Sequence, residues 1–402
     1  MNIYLYNPFG GSLGHSQKYS TNIATGLKLA RCNNNITLVT SSDFNKSDCQ
    51  KNNINIIATH HSSYKRQKGV SLIKNLIYGA WILYSNVRLS APLIKLSLNK
   101  EKKIIHMIGG EVLTNTIILI LMPKRNCMKF ITIHNSDFDI NLYPNFFLKG
   151  LYKEVCKYVL RIATKKDIGF FTHGIKMKDT LLKQLCTEFD KCYTYKVPIN
   201  IRDEPKPINK SCNLSPITRI LFVGVIRLDK GLDLLIDALS QIKNSNWFLD
   251  ICGSATQVGD SYVYALASKL GNKVNLNLKY LSDNEIDNAF ERSDLVVLPY
   301  RKSFIAQSVV MTEAVLHDKP VIVGSTSENS VDVIKYQLGW IFDCESVSSL
   351  AATIDMALDL IQKNKFALPK RDAYLKTISK LGVAEQIYFG YDNAELLHNS
   401  KL

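Results

Sequence analysis

Short apolar runs rich in Ile, Val, Leu and Phe alternate, through both halves of the chain, with longer segments whose apolar positions recur every three or four residues. A short run bounded by polar residues reads as a buried strand, and the longer period as a helix with one apolar face. The alternation predicts strands over Asn2–Tyr6, Ile36–Thr40, Ile54–Ala58, Lys103–Met107, Lys129–His134 and Ile168–Thr172, then over Arg219–Val225, Trp247–Cys252, Val274–Tyr280, Leu295–Pro299 and Pro320–Val323. Helices are expected over Ser20–Ala30, Leu232–Gln241, Tyr262–Leu270, Asn284–Glu291 and Gln307–His317. This order is that of an α/β fold, with parallel sheets covered by helices on both faces.

The pattern breaks once. Between Lys196 and Ile217, four prolines (Pro198, Pro205, Pro207 and Pro216) fall among Lys, Asp and Asn, as in an exposed linker. At 402 residues the chain also exceeds the size that one core usually serves. The reading is therefore a first domain over 1–196, a linker over 197–217 and a second domain over 218–375. A C-terminal helix and tail over 376–402 is expected to pack back on the first domain.

Ligands of open α/β sheets gather where strands end, so the residues just past each strand carry the chemistry. In ILFVGVIRLDKG, Ile220 to Gly231, a buried strand gives way to Arg227 and Lys230, and Gly231 turns the chain into a helix. Two cations beside unpaired helix N–H groups make an anion site, with the Arg able to grip phosphate oxygens by two bonds. The plainer alternative is a pair of solvated loop charges. In PYRKSFIAQSVVMTEAV, a polar loop leads to Gln307, where a helix is expected to present the N–H groups of Ser308, Val309 and Val310 to an anion. Glu313 in that helix suits ribose hydroxyls, its alternative being an ordinary solvent-facing Glu.

Charge agrees with an anionic partner. The formal net charge is +15, which fits a phosphorylated small molecule, an acidic membrane surface or a nucleic acid. Nine scattered cysteines, without metal-ligand spacing, fit reduced thiols and a cytoplasmic protein. No apolar run is long enough to span a bilayer, and the N-terminus enters a strand without the features of a secretory leader. Over Phe147 to Ala163, Lys149, Lys153, Lys157 and Arg161 recur every four residues, predicting a basic stripe opposite Leu148, Leu151, Val155 and Val159. Tyr64, Lys65, Arg66 and Lys68 precede an apolar segment with Tyr78, Trp81 and Tyr84. Basic and aromatic residues together suit an anionic bilayer interface, and equally a solvated face beside a buried helix. Asp137 and Asp139 form an Asp-x-Asp triplet, a spacing that also arises by chance.

The series GVIRLDKG, YLSD before a helix, SDLVVLPY, QSVVMTEA and KPVI resembles glycosyltransferase family 4, over nearly all of the C-terminal half and more weakly over the N-terminal half. The resemblance implies the GT-B architecture, two Rossmann-like domains with parallel sheets facing across a cleft. It also implies a retaining glycosyltransferase that moves a sugar from a UDP- or GDP-sugar to a hydroxyl of a glycan, with no metal or other cofactor. In that likeness Arg227 and Lys230 bind the diphosphate, and Glu313 matches the second Glu of a Glu-x7-Glu signature. Leu281 stands where the backbone meets the base. Gly10 and Gly11 resemble a glycine loop near the donor phosphates, and His134 resembles a strand-end His that contacts the donor sugar. His173 matches a second marked strand end. Ile305 occupies the first Glu position of the signature, a departure that bears on the sugar. The acceptor-side location of the basic segments implies a lipid-linked acceptor in surface polysaccharide or lipopolysaccharide synthesis, at the inner face of a membrane.

Two other readings remain at this point, a nucleotide-sugar epimerase of the same architecture and a basic nucleic-acid-binding protein. The second lacks any helix-turn-helix, zinc-finger or aromatic RNA-binding signature, so no nucleic-acid partner is expected.

Overall fold

The computed structural model describes residues 1–8, 15–59, 72–123, 126–134, 146–198 and 217–399, without the side chains of 15, 16, 48, 72–79, 82, 146–149, 398 and 399. Gly10, Gly11, Tyr64, Lys65, Arg66, Lys68, Asp137, Asp139 and the linker prolines apart from Pro198 lie outside the described residues, as do the side chains of Tyr78 and Lys149.

The chain divides into two compact units, residues 1–200 with 377–402, and residues 201–376. The first unit contains strands β1 (Asn2–Asn7), β2 (Asn35–Thr40), β3 (Asn55–Ala58), β4 (Lys103–Met107), β5 (Cys127–Ile133), β6 (Ile168–Thr172) and β7 (Cys192–Thr194). Its helices are α1 (His15–Ala30), α2 (Ser47–Lys51), α3 (Leu72–Ser97), α4 (Val112–Leu121), α5 (Phe146–Lys165) and α6 (Ile175–Leu185). The second unit contains β8 (Thr218–Val223), β9 (Trp247–Cys252), β10 (Val274–Asn277), β11 (Leu295–Leu298), β12 (Val321–Gly324) and β13 (Gly339–Phe342). Between them run α7 (Leu232–Leu239), α8 (Asp260–Ala267), α9 (Asp283–Arg292), α10 (Val309–Leu316), α11 (Glu328–Tyr336) and α12 (Val347–Gln362). Helix α13 (Arg371–Ile378) leads out of this unit, and α14 (Lys380–Asn399) packs against α1 of the first.

Both sheets are parallel and doubly wound, with orders β3-β2-β1-β4-β5-β6-β7 and β10-β9-β8-β11-β12-β13. Tyr4 pairs with Thr37 on one side and Ile105 on the other, and Ile220 pairs with Leu249 and Leu295. Central strands such as KIIHM of β4 and LVVL of β11 are buried at every position, as sheets sandwiched between helices require. The first sheet carries one core under α4, α5 and α6, including Leu119, Leu160 and Leu181. A second core under α1 and α14 includes Leu27, Ile387 and Tyr391. The second unit is built around Ile220, Leu235, Leu249, Val297 and Ile354.

Several cations close helix ends. Buried Lys103 donates to the Leu96 carbonyl at 2.9 Å and to that of Asn99, and Lys129 reaches the carbonyls of Leu119 and Met122 at 2.9 and 2.6 Å. Arg371 donates to the carbonyls of Val315 and Leu316 at 2.9 and 2.7 Å, at the end of α10. Charge at these positions offsets carbonyls that lack an intrahelical donor.

Helix α5 turns a different face to the core than its sequence suggests. Tyr152, Cys156, Leu160 and Ala163 are buried, whereas Leu151 is 56% exposed, Val155 38% and Tyr158 64%. Lys153, Lys157 and Arg161 are half-buried. Lys157 pairs with Glu154 at 2.5 Å, and Arg161 donates to the Leu185 carbonyl at 2.8 Å, closing α6. The expected stripe fails because a step of four residues overshoots a helical turn by about 40°, so positions 149 to 161 spiral around the helix.

Candidate active site

Strand order reverses beside β8, which lies between β9 and β11, so the loops after these strands flank a topological switch point. After β8, Arg227 leads into a 3-10 turn over Leu228–Lys230, and Gly231 follows with φ +65°. A Cβ on Gly231 would come within 2.0 Å of the Pro299 carbonyl oxygen, so the close approach of the two loops excludes any side chain there.

Arg227 is held by Asp229, donating from Nε at 2.8 Å and from Nη2 at 2.6 Å. That edge of the guanidinium is filled by a carboxylate, and Nη1 has no hydrogen-bond partner among the described residues. Lys230 Nζ instead lies over two rings, 3.6 Å from the centroid of Tyr300 and 4.1 Å from that of Phe304. Among the described residues it has no carboxylate or carbonyl partner. Burial, followed by the neighbouring Arg227 charge, brings its pKa down to about 7.

The loop after β11 is stitched to this turn. The Arg301 backbone N–H donates to the Asp229 carbonyl at 2.9 Å, its Nε to the Leu228 carbonyl at 3.0 Å, and its guanidinium pairs with Asp233. Tyr300 hydroxyl lies 3.2 Å from Ser308 Oγ, which connects the Lys230 clamp to the start of α10. Helix α10 begins at Val309 with Ser308 as its N-cap, later than the expected Gln307. The Ser308 N–H is not offered to a ligand, because Asn329 Oδ1 accepts it at 2.9 Å. The N–H groups of Val309, Val310 and Met311 are the ones without an acceptor among the described residues. Gly224, at the end of β8, faces Val310, to whose Cγ2 a Cβ would stand at 3.6 Å.

Gln307 is buried and interacts with the Tyr374 hydroxyl of α13. Glu313 is half-buried within α10. Leu281 is 7% exposed, just before Ser282, which caps α9 in a reciprocal pair with Glu285. It lies past β10 on the same strand-end edge of the sheet as Lys230. Ile305 is half-buried, and its carbonyl accepts the N–H of Glu328 at 3.0 Å.

His134 and His173 belong to the first unit, where they meet past β5 and β6. His134 Nδ1 lies 3.1 Å from His173 Nε2, and His134 Nε2 lies 2.8 Å from the Ile108 carbonyl. His173 is almost fully buried, which holds its pKa well below the ordinary histidine value.

Sequence reading did not single out Asp229, Tyr300, Phe304 or Asn329. Asp229 stands two residues from Arg227, so a local charge pair was its signal. Asn329 comes from α11, and only the fold brings it to Ser308.

Residues 215–367 match the family model described as glycosyl transferases group 1. A search among curated proteins gives no match. Anabaena HepE, solved with UDP, is similar to the chain at a TM-score of 0.64 and 16% identity, over 98% of this chain and 99% of that one. Sucrose-phosphate synthase of Thermosynechococcus elongatus gives 0.69 and 14%, over 99% and 100%. The lipopolysaccharide outer core galactosyltransferase WaaB gives 0.62 and 14%, over 100% of both. At these identities the likeness shows the fold: α/β with two parallel sheets, as in GT-B glycosyltransferases. No helix among the described residues is long and apolar enough to cross a membrane.

Proposed function

We propose that the protein is a retaining glycosyltransferase of family 4 that transfers a hexose from a nucleoside-diphosphate sugar, UDP being the favoured carrier, to a hydroxyl of a lipid-linked glycan. The observation that carries this is Lys230: a desolvated amine beside Arg227, without an acidic partner among the described residues, next to unpaired N–H groups of an eight-residue helix. A diphosphate supplies the negative charge that such a group lacks in the free protein. As the bond to the sugar breaks, charge grows on the departing diphosphate, and Lys230 with the free side of Arg227 stabilises it there. The matched family model and the UDP-bound HepE support this donor class. An epimerase would consume the donor alone, so dependence of sugar release on an added glycan acceptor separates the two.

Support for a membrane-borne acceptor comes from the outer side of adjoining helices. Tyr84 and Val87 of α3, Leu121 of α4, and Leu151, Val155 and Tyr158 of α5 are exposed, and α4 packs against both α3 and α5. Apolar and aromatic side chains presented beside lysines fit an interfacial surface at the inner face of a membrane. The donor proposal is tested by thermal shift with UDP-glucose and GDP-mannose, where the true donor raises the melting temperature. Lys230→Ala is expected to abolish that rise while leaving the unliganded melting curve nearly in place. A rise that persists in this variant counts against the site.

A further inference from the structure

The donor site described above uses Lys230 as a charge, yet the same atom is built as a nucleophile. Its Nζ lies 3.6 Å from the centre of the Tyr300 ring and 4.1 Å from that of Phe304, and neither ring can take up a proton from it. The carboxylates of this region are engaged by other cations: Asp229 in the same turn is gripped by Arg227, and Asp233 in the first turn of α7 pairs with Arg301. With its pKa brought down to about 7 by burial, roughly half of the amine is unprotonated at neutral pH, whereas an ordinary lysine holds fewer than about one in a thousand in that form. Lys230 is half-buried, not enclosed, so a small solute can reach it.

Nucleophile and anion grip share one turn. The Lys230 N–H donates to the Arg227 carbonyl at 3.0 Å, and Arg227 Nη1 has no partner among the described residues. An acyl phosphate carries a group for each of them. Its phosphate suits the guanidinium, and its carbonyl carbon, joined to the phosphate through one oxygen, is the electrophile an unprotonated amine attacks.

We propose that Lys230 is a modification site for acyl phosphates, with Arg227 docking the phosphate and the Lys230 amine taking the acyl group. The Nζ lone pair forms a bond to the acyl carbon, the bond from that carbon to the phosphate oxygen breaks, phosphate departs with the electron pair, and the nitrogen gives up one proton to water. Charge gathering on the departing phosphate falls beside Arg227, where a fixed cation stabilises it. The product is a neutral amide, so the turn loses one of its two cations and with it the grip on anions. The consequence for sugar transfer rests on the function proposed above, whereas the modification needs only the amine and the guanidinium.

Acetyl phosphate is the probe, and the N-hydroxysuccinimide ester of acetate, which carries no phosphate, is the control. With the full chain near neutral pH, initial acetylation rates read by peptide mass spectrometry should be at least about tenfold higher at Lys230 than at the exposed Lys100 and Lys243 when acetyl phosphate is used. The ester should show a smaller preference. Inorganic pyrophosphate should slow Lys230 alone, and Arg227→Met should remove the extra preference for acetyl phosphate. Lys230 labelled no faster than Lys100 and Lys243, equal preference from both reagents, or a preference that survives both pyrophosphate and Arg227→Met overturns the inference. Protection of Lys230 by pyrophosphate but by neither UDP-glucose nor GDP-mannose leaves the modification standing and removes the nucleotide-sugar reading. A thermal shift with one of these donors, without preferential acetylation, does the reverse.

Discussion

Under the proposed function, Lys230 is expected to make donor binding depend on pH. Its value near 7 in the free protein means that the amine is largely neutral at pH 8 to 9, and a bound diphosphate is expected to restore its proton. Affinity for UDP-glucose, followed by calorimetry, is expected to be nearly flat below pH 7 and to fall by up to about tenfold per pH unit above it. Lys230→Met should bind weakly at every pH and lose the slope. Stability of the free protein moves in the opposite sense. Between about 7 and the ordinary value of 10.5 the unfolded chain holds a proton that the folded chain has released, so this group makes the unfolding free energy rise with pH across that window. Denaturant titrations at pH 7 and 9.5 should show a smaller difference in Lys230→Met than in the parent. The sequence marks Arg227, Lys230 and Gly231 because they are neighbours on one strand end. It does not mark the rings over Lys230, since Tyr300 and Phe304 are brought there by the adjacent parallel strand, and local pattern carries no information about that pairing.

Element by element, what was legible follows periodicity, and what was missed follows partners. Strands such as Trp247–Cys252 and Ile168–Thr172 read directly from their apolar runs, and the observed spans coincide with the expected ones. The short edge strands β7 and β13 escape notice, because an edge strand needs less apolar sequence than a central one. Helix α10 begins at Val309 since Asn329 claims the preceding N–H, which a one-dimensional pattern cannot foresee. Asn329→Ala leaves that buried N–H without an acceptor and should cost about 1–3 kcal/mol, measured by chemical denaturation. Because Ser308 would no longer be pinned, the variant should also bind UDP-glucose less tightly. Helix α5 shows the reverse problem, a clear charge repeat that misassigns the face. Leu151→Asp with Tyr158→Asp should weaken co-sedimentation with anionic vesicles and leave the melting temperature nearly unchanged, as both positions are solvent-facing.

At the level of the whole molecule, the net charge of +15 has two kinds of use. Part of it serves the interior: Lys103, Lys129, Arg161 and Arg371 close the ends of helices, so these cations are not available to any partner. The remainder includes Lys230 and the outward lysines of the first unit. Composition therefore overstates the electrostatic footprint.

Helix α14 follows the entire second unit in sequence yet supplies Ile387, Tyr388 and Tyr391 to the core of the first. Its approach to α1 is close enough that a Cβ on Gly26 would stand 2.1 Å from the Lys380 carbonyl oxygen. Gly26→Ala should thus destabilise the first unit by about 1–3 kcal/mol, seen as a lower denaturant midpoint. During synthesis, residues 1–200 leave the ribosome with one side of their sheet covered by α1 but still lacking α14, whereas residues 201–376 are contiguous and can close on their own. The half of the protein that is translated first is the last to finish folding.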